Sequence, residues 1–568
     1  MVIDRNQPKP PTVAYFTMEV GLDAAIPCYA GGLGILAGDS LRAAADIGIP
    51  LVGMTLLYRK GYIRQHLDSL GNQTESNVEW NPSTHMKALE TRASVSIEGR
   101  RVWIRAWRYD ISGVTGETAV IYFLDTDLPE NSAWDRTLTD HLYLGDDHYR
   151  ICQEALLGLG GIAMLRALGY VDVTTYHMNE GHSSFLTLAL LQEQASRSNR
   201  PITDKYNIDR VREQCVFTTH TPVPAGIDKF PVNLVRQVLG DQLTDTLVEI
   251  NCTLRDTLNM IQLALFFSRY INGVSMNHEE ISRGMFPGYP INSITNGVHA
   301  GTWTSEPFRR LFNRYVPEWA EDNLYLRYAI RIPLQEIHKA HTEAKIDMLN
   351  ELQHKGISLD PSIMTIGFAR RATFYKRAHL LFSDLERLKK ISREAGPLQI
   401  VYAGNAHPKD EGGKAIIRQI FQAAEALKGF VKVVYVEDYG LGIAKYLCSG
   451  VDLWLNTPQK PFEASGTSGM KAALNGVPSL SVPDGWWVEG HLEGVTGWSI
   501  GEPEVEGSAV METKSLYDKL QNIIIPMFYH QPQTYGIIMR SAIAINGSYY
   551  NAQRMMLQYL EHAYMSVP

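Results

Sequence analysis

Short runs of β-branched and aromatic residues alternate along this chain with segments whose apolar positions recur every three or four residues, which reads as strands alternating with helices. Residues 13–18 (Val-Ala-Tyr-Phe-Thr-Met) predict a strand ending at Glu19. Gly31-Gly32-Leu33-Gly34 follows, opening a helix with Leu41, Ala44 and Ala45 on one face and Gly48 at its end. Residues 51–57 are the next strand and complete a β-α-β unit. Further strands are expected at 100–107, 118–124, 171–177 and 215–220, with a helix over 150–168. Between 305 and 354, Leu326, Ile330, Leu334 and Ile337 lie at helical spacing that Pro333 interrupts, so this stretch reads as a bridge into a second region. There, 363–368, 398–403 and 431–436 read as strands, and 516–529 and 540–564 as helices. The pattern predicts α/β architecture with mostly parallel sheets.

Composition changes that picture in a few places only. At 568 residues the chain is longer than one core usually supports, so two domains are expected, 1–297 and 298–568, the last helix packing back onto the first. The net charge of −8 comes from 53 basic and 61 acidic residues with no block of one sign, so neither nucleic acid nor an anionic membrane is an expected partner. Five scattered cysteines, never in C-x-x-C spacing, point to reduced thiols and a cytoplasmic setting, with no metal site. Residues 1–11 are polar and proline-rich, unlike a signal peptide, and no uncharged apolar run approaches the ~20 residues of a membrane span.

The candidate chemistry sits in five places. The first is Pro461-Phe462-Glu463-Ala464-Ser465-Gly466-Thr467-Ser468-Gly469-Met470-Lys471, followed by Leu474-Asn475-Gly476. Its small residues let backbone approach an anion at the start of a short helix, and a lysine there suits a charge clamp or a Schiff base. A plain Ser/Gly/Thr loop with an exposed lysine reads equally well from composition. Second, Gly32-x-Gly34-x-x-Ala37 fits a dinucleotide fingerprint but lies too far beyond its strand. Third, Asn179-Glu180-Gly181-His182 follows a strand, and His220 ends another and enters Thr221-Pro222-Val223-Pro224-Ala225-Gly226; strand ends of this kind line ligand sites in open α/β sheets. Fourth, Thr295-Asn296-Gly297-Val298 with Trp303 reads by itself as an Asn-Gly turn. Fifth, Arg370, Arg371, Lys376 and Arg377 put four cations in eight residues directly after a strand. The segments 404–408 and 437–440 also follow strands and belong to a cleft rim, and the adjacent Trp486 and Trp487 read as core.

Glu-Ala-Ser-Gly-Thr-x-x-Met-Lys with Leu-Asn-Gly after it closely resembles the cofactor segment of the α-glucan (glycogen, starch, maltodextrin) phosphorylases. The Tyr-Phe-x-Met-Glu, Gly-Gly-Leu-Gly, His-Thr-x-x-Pro, Thr-Asn-Gly and Arg-Arg-x-x-x-Tyr-Lys-Arg segments resemble that family in the same order, over residues 14–490. The resemblance implies two doubly wound, parallel-sheet, Rossmann-like α/β domains facing a central cleft, the GT-B architecture. It implies pyridoxal 5′-phosphate held as an aldimine by Lys471, with Arg370, Lys376 and Tyr439 on the cofactor phosphate and Gly466, Thr467 and Ser468 beside it. It places Glu19 on the cofactor side, the Gly31, Gly32 and Leu33 amides over the substrate phosphate and the sugar, Arg371 on the substrate phosphate, and His220 and Asn296 on the reacting glucose. His220, Arg371, Lys376, Glu463 and Asn296 form the catalytic set so implied. Two departures stand out: Gly226 replaces an alanine, and Gly440 replaces an arginine of the animal enzymes.

The implied reaction is reversible phosphorolysis of the non-reducing-end glucose of an α-1,4-glucan by inorganic phosphate, giving α-glucose 1-phosphate with retention, in a homodimeric hexosyltransferase. Arg371, Lys376 and the Gly32 amide would hold the substrate phosphate against the cofactor's 5′-phosphate, which would be the proton source and sink. A nucleotide-sugar glycogen or starch synthase shares the architecture but typically carries a glutamate where this chain has Lys471. A pyridoxal-phosphate aminotransferase would leave the Gly31 and Arg370 segments unexplained, and a non-catalytic glucan-binding protein would not need every cation. The strand at residue 14 also leaves no room for the N-terminal regulatory arm of the animal enzymes, so control by phosphorylation or adenosine monophosphate is not expected.

Overall fold

The computed structural model describes residues 12–223, 226–501 and 508–565. Residues 1–11, on which the expectation about a regulatory arm rests, and Pro224 and Ala225 of the segment after His220 lie outside the described residues. The chain divides into two compact units: one takes residues up to 63, 77–294 and from 555 onward, and the other takes 64–76 and 295–554.

The first unit is built on a nine-stranded sheet. Its strands are β1 (Val13–Thr17), β2 (Leu51–Leu56), β3 (Lys87–Ile97), β4 (Arg100–Ser112), β5 (Thr118–Asp125), β6 (Thr175–Asn179), β7 (Cys215–Thr218), β8 (Tyr270–Gly273) and β9 (Ile291–Ser293). The order across the sheet is β9-β8-β7-β6-β1-β2-β5-β4-β3, with β3 and β4 antiparallel to their neighbours and the rest parallel. Every residue of β1, β2, β6 and β7 is buried, the expected state for parallel strands covered on both faces. Helix α1 (Gly32–Ile47) follows β1 and stops at Gly48, whose left-handed φ of 71° caps it. Helix α2 (Asp147–Ala155) starts at Asp146, whose side chain accepts from the Tyr149 amide. In the same unit the C-terminal segment Tyr559–Tyr564 packs under the sheet, Tyr564 Oη lying 2.7 Å from His177 Nδ1 and Tyr559 Oη 3.0 Å from Thr218 Oγ1.

The second unit is built on a six-stranded, all-parallel sheet of β10 (Met364–Ala369), β11 (Leu398–Ala403), β12 (Lys432–Val436), β13 (Leu453–Asn456), β14 (Ser479–Ser481) and β15 (Gly497–Ser499), in the order β12-β11-β10-β13-β14-β15. Helices α3 (Leu334–His354) and α4 (Leu441–Gly450) close one side of it, with Met348, Leu352, Leu447, Val451 and Trp454 in a continuous core. Pro333 is the N-cap of α3, so the proline starts this helix. Helix α5 (Ser468–Leu474) is the short helix foreseen after the Ser/Gly/Thr segment, and α6 (Ala509–Lys519) opens the C-terminal helical run.

The strand expected at 171–177 begins only at Thr175, because Val171 is exposed and the register with β1 starts at Thr175. The hairpin of Arg64–Leu67 and Gln73–Ser76 belongs to the second unit. There Gln65 Nε2 donates to Gly404 O, Gln73 Nε2 donates to Ala406 O, and the Gln65 amide donates to Asp438. Among the described residues no helix is long and apolar enough to cross a membrane. All five cysteines are free and buried.

Candidate active site

In the first unit the chemistry-bearing residues gather at the C-terminal ends of β1, β6 and β7. Asn179 ends β6, and its Oδ1 lies 2.6 Å from His220 Nε2, just past β7. Asn179 Nδ2 donates to Thr17 Oγ1 at 3.1 Å, and that hydroxyl donates to Glu19 O at 2.9 Å. Because the Asn179 amide nitrogen is committed to Thr17, its oxygen must accept, which puts the His220 proton on Nε2. Burial lowers the His220 pKa to about 3, and the neighbouring His278, His177 and His182 push the same way, so this imidazole is neutral. Glu180, buried at φ 75°, accepts the His220 amide at 2.8 Å and the Thr221 hydroxyl at 2.9 Å, fixing the start of the loop that follows.

Glu19 organises the glycine segment. Its Oε2 accepts the amides of Ala30 (2.6 Å) and Gly31 (3.1 Å), and its Oε1 accepts from Tyr143 Oη (3.0 Å). The Gly31 amide is therefore spent on Glu19. The amides of Gly32 and Leu33, in the first turn of α1, have no intrahelical acceptor and carry the positive end of a sixteen-residue helix. A Cβ on Gly34 would stand 2.7 Å from Glu19 Oε2 and from Tyr29 Cβ, so that position must be glycine.

In the second unit the basic turn after β10 converges on one carboxylate. Arg370 Nη2 (2.7 Å) and Lys376 Nζ (2.5 Å) both donate to Glu463 Oε2, and all three side chains are nine-tenths buried. Burial alone would raise the Glu463 carboxyl, but Lys376 and Arg370 outweigh it and hold it below the usual carboxylate range. Arg370 Nε and Nη1 are buried with no hydrogen-bond partner, two donors that a further anion would satisfy. Arg371, next along the chain, is exposed, so the two arginines have different surroundings.

The segment 463–466 is clamped to 484–486. Asp484 Oδ2 accepts the Glu463 amide and its Oδ1 the Gly485 amide, both at 2.9 Å, and the Trp486 amide donates to Ser465 O at 3.1 Å. Burial, together with the Glu463 charge, raises Asp484 to about 7 even though two amides oppose it. Gly466 sits at φ 72° and Gly485 at φ 55°, both left-handed positions that favour glycine. Ser468 Oγ accepts from Trp454 Nε1 at 3.0 Å, Thr467 O accepts the Lys471 amide, and the Ser465 hydroxyl is buried without a partner.

Lys471 is buried, its Nζ 4.0 Å from the centre of the Trp303 ring. Asn475 ties the two together, its Nδ2 donating to Trp303 O and Lys471 O while its Oδ1 accepts the Ser305 amide. Residues 295–298 do not form a turn: Val298 bridges Asn551, and a Cβ on Gly297 would lie 2.1 Å from Asn551 O, so the glycine serves close backbone approach. Asn296 is held through its carbonyl by Arg554 Nη2 at 2.9 Å, which leaves its buried Oδ1 without a partner. Tyr439 exchanges weak hydrogen bonds with Asn405 (3.3 and 3.4 Å) through its backbone, beside the hairpin from 64–76. Gly440 caps α4 in an extended conformation open to any residue. Sequence reading included Asn179 in a candidate segment but not its bond to His220, and it missed the role of Asp484 and the Trp303–Lys471 pairing, because each acts on a partner well along the chain.

Arg370 and Ser465 carry buried donors without partners, which suit an anion, and Lys471 presents a buried primary amine on α5. The sequence profile of the carbohydrate phosphorylase family matches residues 169–495. The maltodextrin phosphorylase of Thermococcus litoralis is 39% identical, over 97% of this chain and 70% of that protein. The glycogen phosphorylase of Mycobacterium tuberculosis is 35% identical over 98% of this chain and 71% of that protein, and the Aquifex aeolicus glycogen phosphorylase is 34% identical over 98% and 86%. With the profile covering more than half the chain and these relatives nearly all of it, the chain belongs to the carbohydrate phosphorylase family.

Proposed function

We propose that the chain is an α-glucan phosphorylase, transferring the non-reducing-end glucose of an α-1,4-glucan to inorganic phosphate with retention to give α-glucose 1-phosphate. The observation that carries this reading is the convergence of Arg370 and Lys376 on Glu463, with two buried Arg370 donors left over and exposed Arg371 beside them. A hydrolase would use paired carboxylates with room for water, whereas here Glu463 is neutralised by two cations and both Asp484 oxygens are taken up by the Glu463 and Gly485 amides.

Pyridoxal 5′-phosphate fits the residues present. Lys471 would hold its aldehyde carbon, and the unpartnered donors of Arg370 and Ser465, with Lys376, would hold its phosphate. When bound, the group would supply a phosphate able to give and take the proton of the glycosidic oxygen. Arg371 would bind inorganic phosphate, and in the first unit the amides at the start of α1 suit an anion. Neutral His220, its proton fixed on Nε2, would orient the reacting glucose without exchanging a proton, and Asn296 Oδ1 would accept from a sugar hydroxyl. Glu463 would accept sugar hydroxyls once an incoming phosphate competes for its cations. A homodimer and a cytoplasmic location complete the proposal.

Maltoheptaose incubated with and without phosphate tests it by product chromatography. Glucose 1-phosphate and maltohexaose only in the phosphate-containing sample is the expected result. Free glucose in both, or turnover only with a nucleotide sugar, would replace phosphorolysis with hydrolysis or with the synthase reading.

A further inference from the structure

Of the four cations in residues 370–377, the functional reading employs Arg370, Arg371 and Lys376 and leaves Arg377 without a role. Arg377 does not join the others on Glu463. Its Nε donates to Thr457 O at 3.0 Å, its Nη2 to Pro458 O at 2.6 Å and its Nη1 to Glu512 Oε2 at 2.5 Å. Thr457 answers in the other direction, its hydroxyl donating to the backbone carbonyls of Lys376 (3.1 Å) and Arg377 (3.0 Å). Arg377 takes a left-handed φ of 47°, and its amide closes the turn onto Phe374 O. Residues 457–463 are the chain that runs from β13 to Glu463, so this set of bonds ties the backbone of Lys376 to the segment that carries its carboxylate partner.

We propose that Arg377 is a positioning residue: by forking onto Thr457 and Pro458 and pairing with Glu512 of α6, it sets where Lys376 stands relative to Glu463, and so shapes the phosphate site without touching phosphate. The proposal rests on the reading of Arg370, Arg371 and Lys376 as an anion site. Only a guanidinium can meet this geometry, since two carbonyls and a carboxylate are served at once by its planar array of donors, which an ammonium cannot reproduce. Both charges are buried, Arg377 at 8% and Glu512 at 2% exposure, a placement that is costly unless every donor is satisfied. The precision gained is what anion positioning requires, because misplacing a reacting group by ~1 Å can cost ~100-fold in rate.

The test uses the full-length protein with Arg377→Lys and Glu512→Gln. Steady-state constants are measured separately for phosphate and maltoheptaose, thermal unfolding is recorded, and amide hydrogen exchange is followed in 370–377 and 457–463. Arg377→Lys should lower kcat/KM for phosphate by about ten-fold or more while leaving the KM for maltoheptaose within about two-fold. Both segments should lose protection in the folded protein, and Glu512→Gln should shift the same quantities less. An unchanged kcat/KM for phosphate, or equal loss toward both substrates, would overturn the positioning role. A wild-type protein making no phosphate-dependent product would instead refute the functional reading. In that event the exchange data decide the clamp alone, unchanged protection in Arg377→Lys overturning it and joint loss in both segments upholding it.

Discussion

Lys471 Nζ stands 4.0 Å from the centre of the Trp303 ring, an amine buried against an aromatic face and fixed at its backbone by Asn475. The amine lies on α5, directly after the Ser/Gly/Thr segment, where the proposed cofactor's aldehyde would be held.

Reduction with borohydride in the presence of pyridoxal 5′-phosphate should therefore place the adduct on Lys471. Peptide mapping checks this, and Lys471→Ala should abolish the adduct; a label on another lysine contradicts the assignment.

Arg370 and Arg371 should separate on substitution, because the first is buried on Glu463 and the second is exposed. Arg371→Ala is expected to keep cofactor, read from its absorbance, and to lose ~100-fold or more in rate, the size of effect typical for a charge-assisted contact to a transferring group. Arg370→Ala should release cofactor. Loss of cofactor from Arg371→Ala would reverse the division of labour.

Asn179→Leu leaves the buried His220 Nε2 proton without its acceptor and removes the link to Thr17. An unsatisfied buried donor costs ~1–3 kcal/mol, so kcat/KM for the glucan should fall roughly ten- to hundred-fold. In the wild type the His220 ring signals should not titrate between about pH 5 and 8, since neutral histidine there follows from its lowered pKa.

Asp484 gives a pH signature in stability. Its carboxyl is raised to about 7 in the fold, so between the ordinary carboxylate range near pH 4 and about 7 the folded chain keeps a proton that the unfolded chain has released. This group's contribution is full below that window and declines as pH rises through it. Thermal unfolding of Asp484→Asn should vary less between about pH 5 and 7.5 than that of the wild type; an equal slope would remove Asp484 as the source.

Much of this was legible in the sequence, and the rest was lost for identifiable reasons. β1 and β11 announced themselves because strands buried on both faces are mostly apolar, and Gly48 marked a helix end because it sits at positive φ. β3 went unread because it is an edge strand with no buried residue before Ala93. The hairpin at 64–76 carries no local sign that it joins the second unit, since its partners Gly404, Ala406 and Asp438 lie hundreds of residues on. The basic turn and its glutamate were visible as motifs. That two of its cations share one oxygen, while Arg377 serves another segment, depends on contacts between distant parts of the chain, which spacing alone does not encode.

In the proposed reaction glucose leaves the glucan for phosphate. Proton and phosphorus NMR on one sample of maltoheptaose, inorganic phosphate and pyridoxal-phosphate-loaded protein follows both products as they form. α-Glucose 1-phosphate should appear in step with loss of inorganic phosphate and of one glucose unit per chain. Inorganic phosphate left unconsumed while the glucan shortens, or the β anomer as first product, would contradict it.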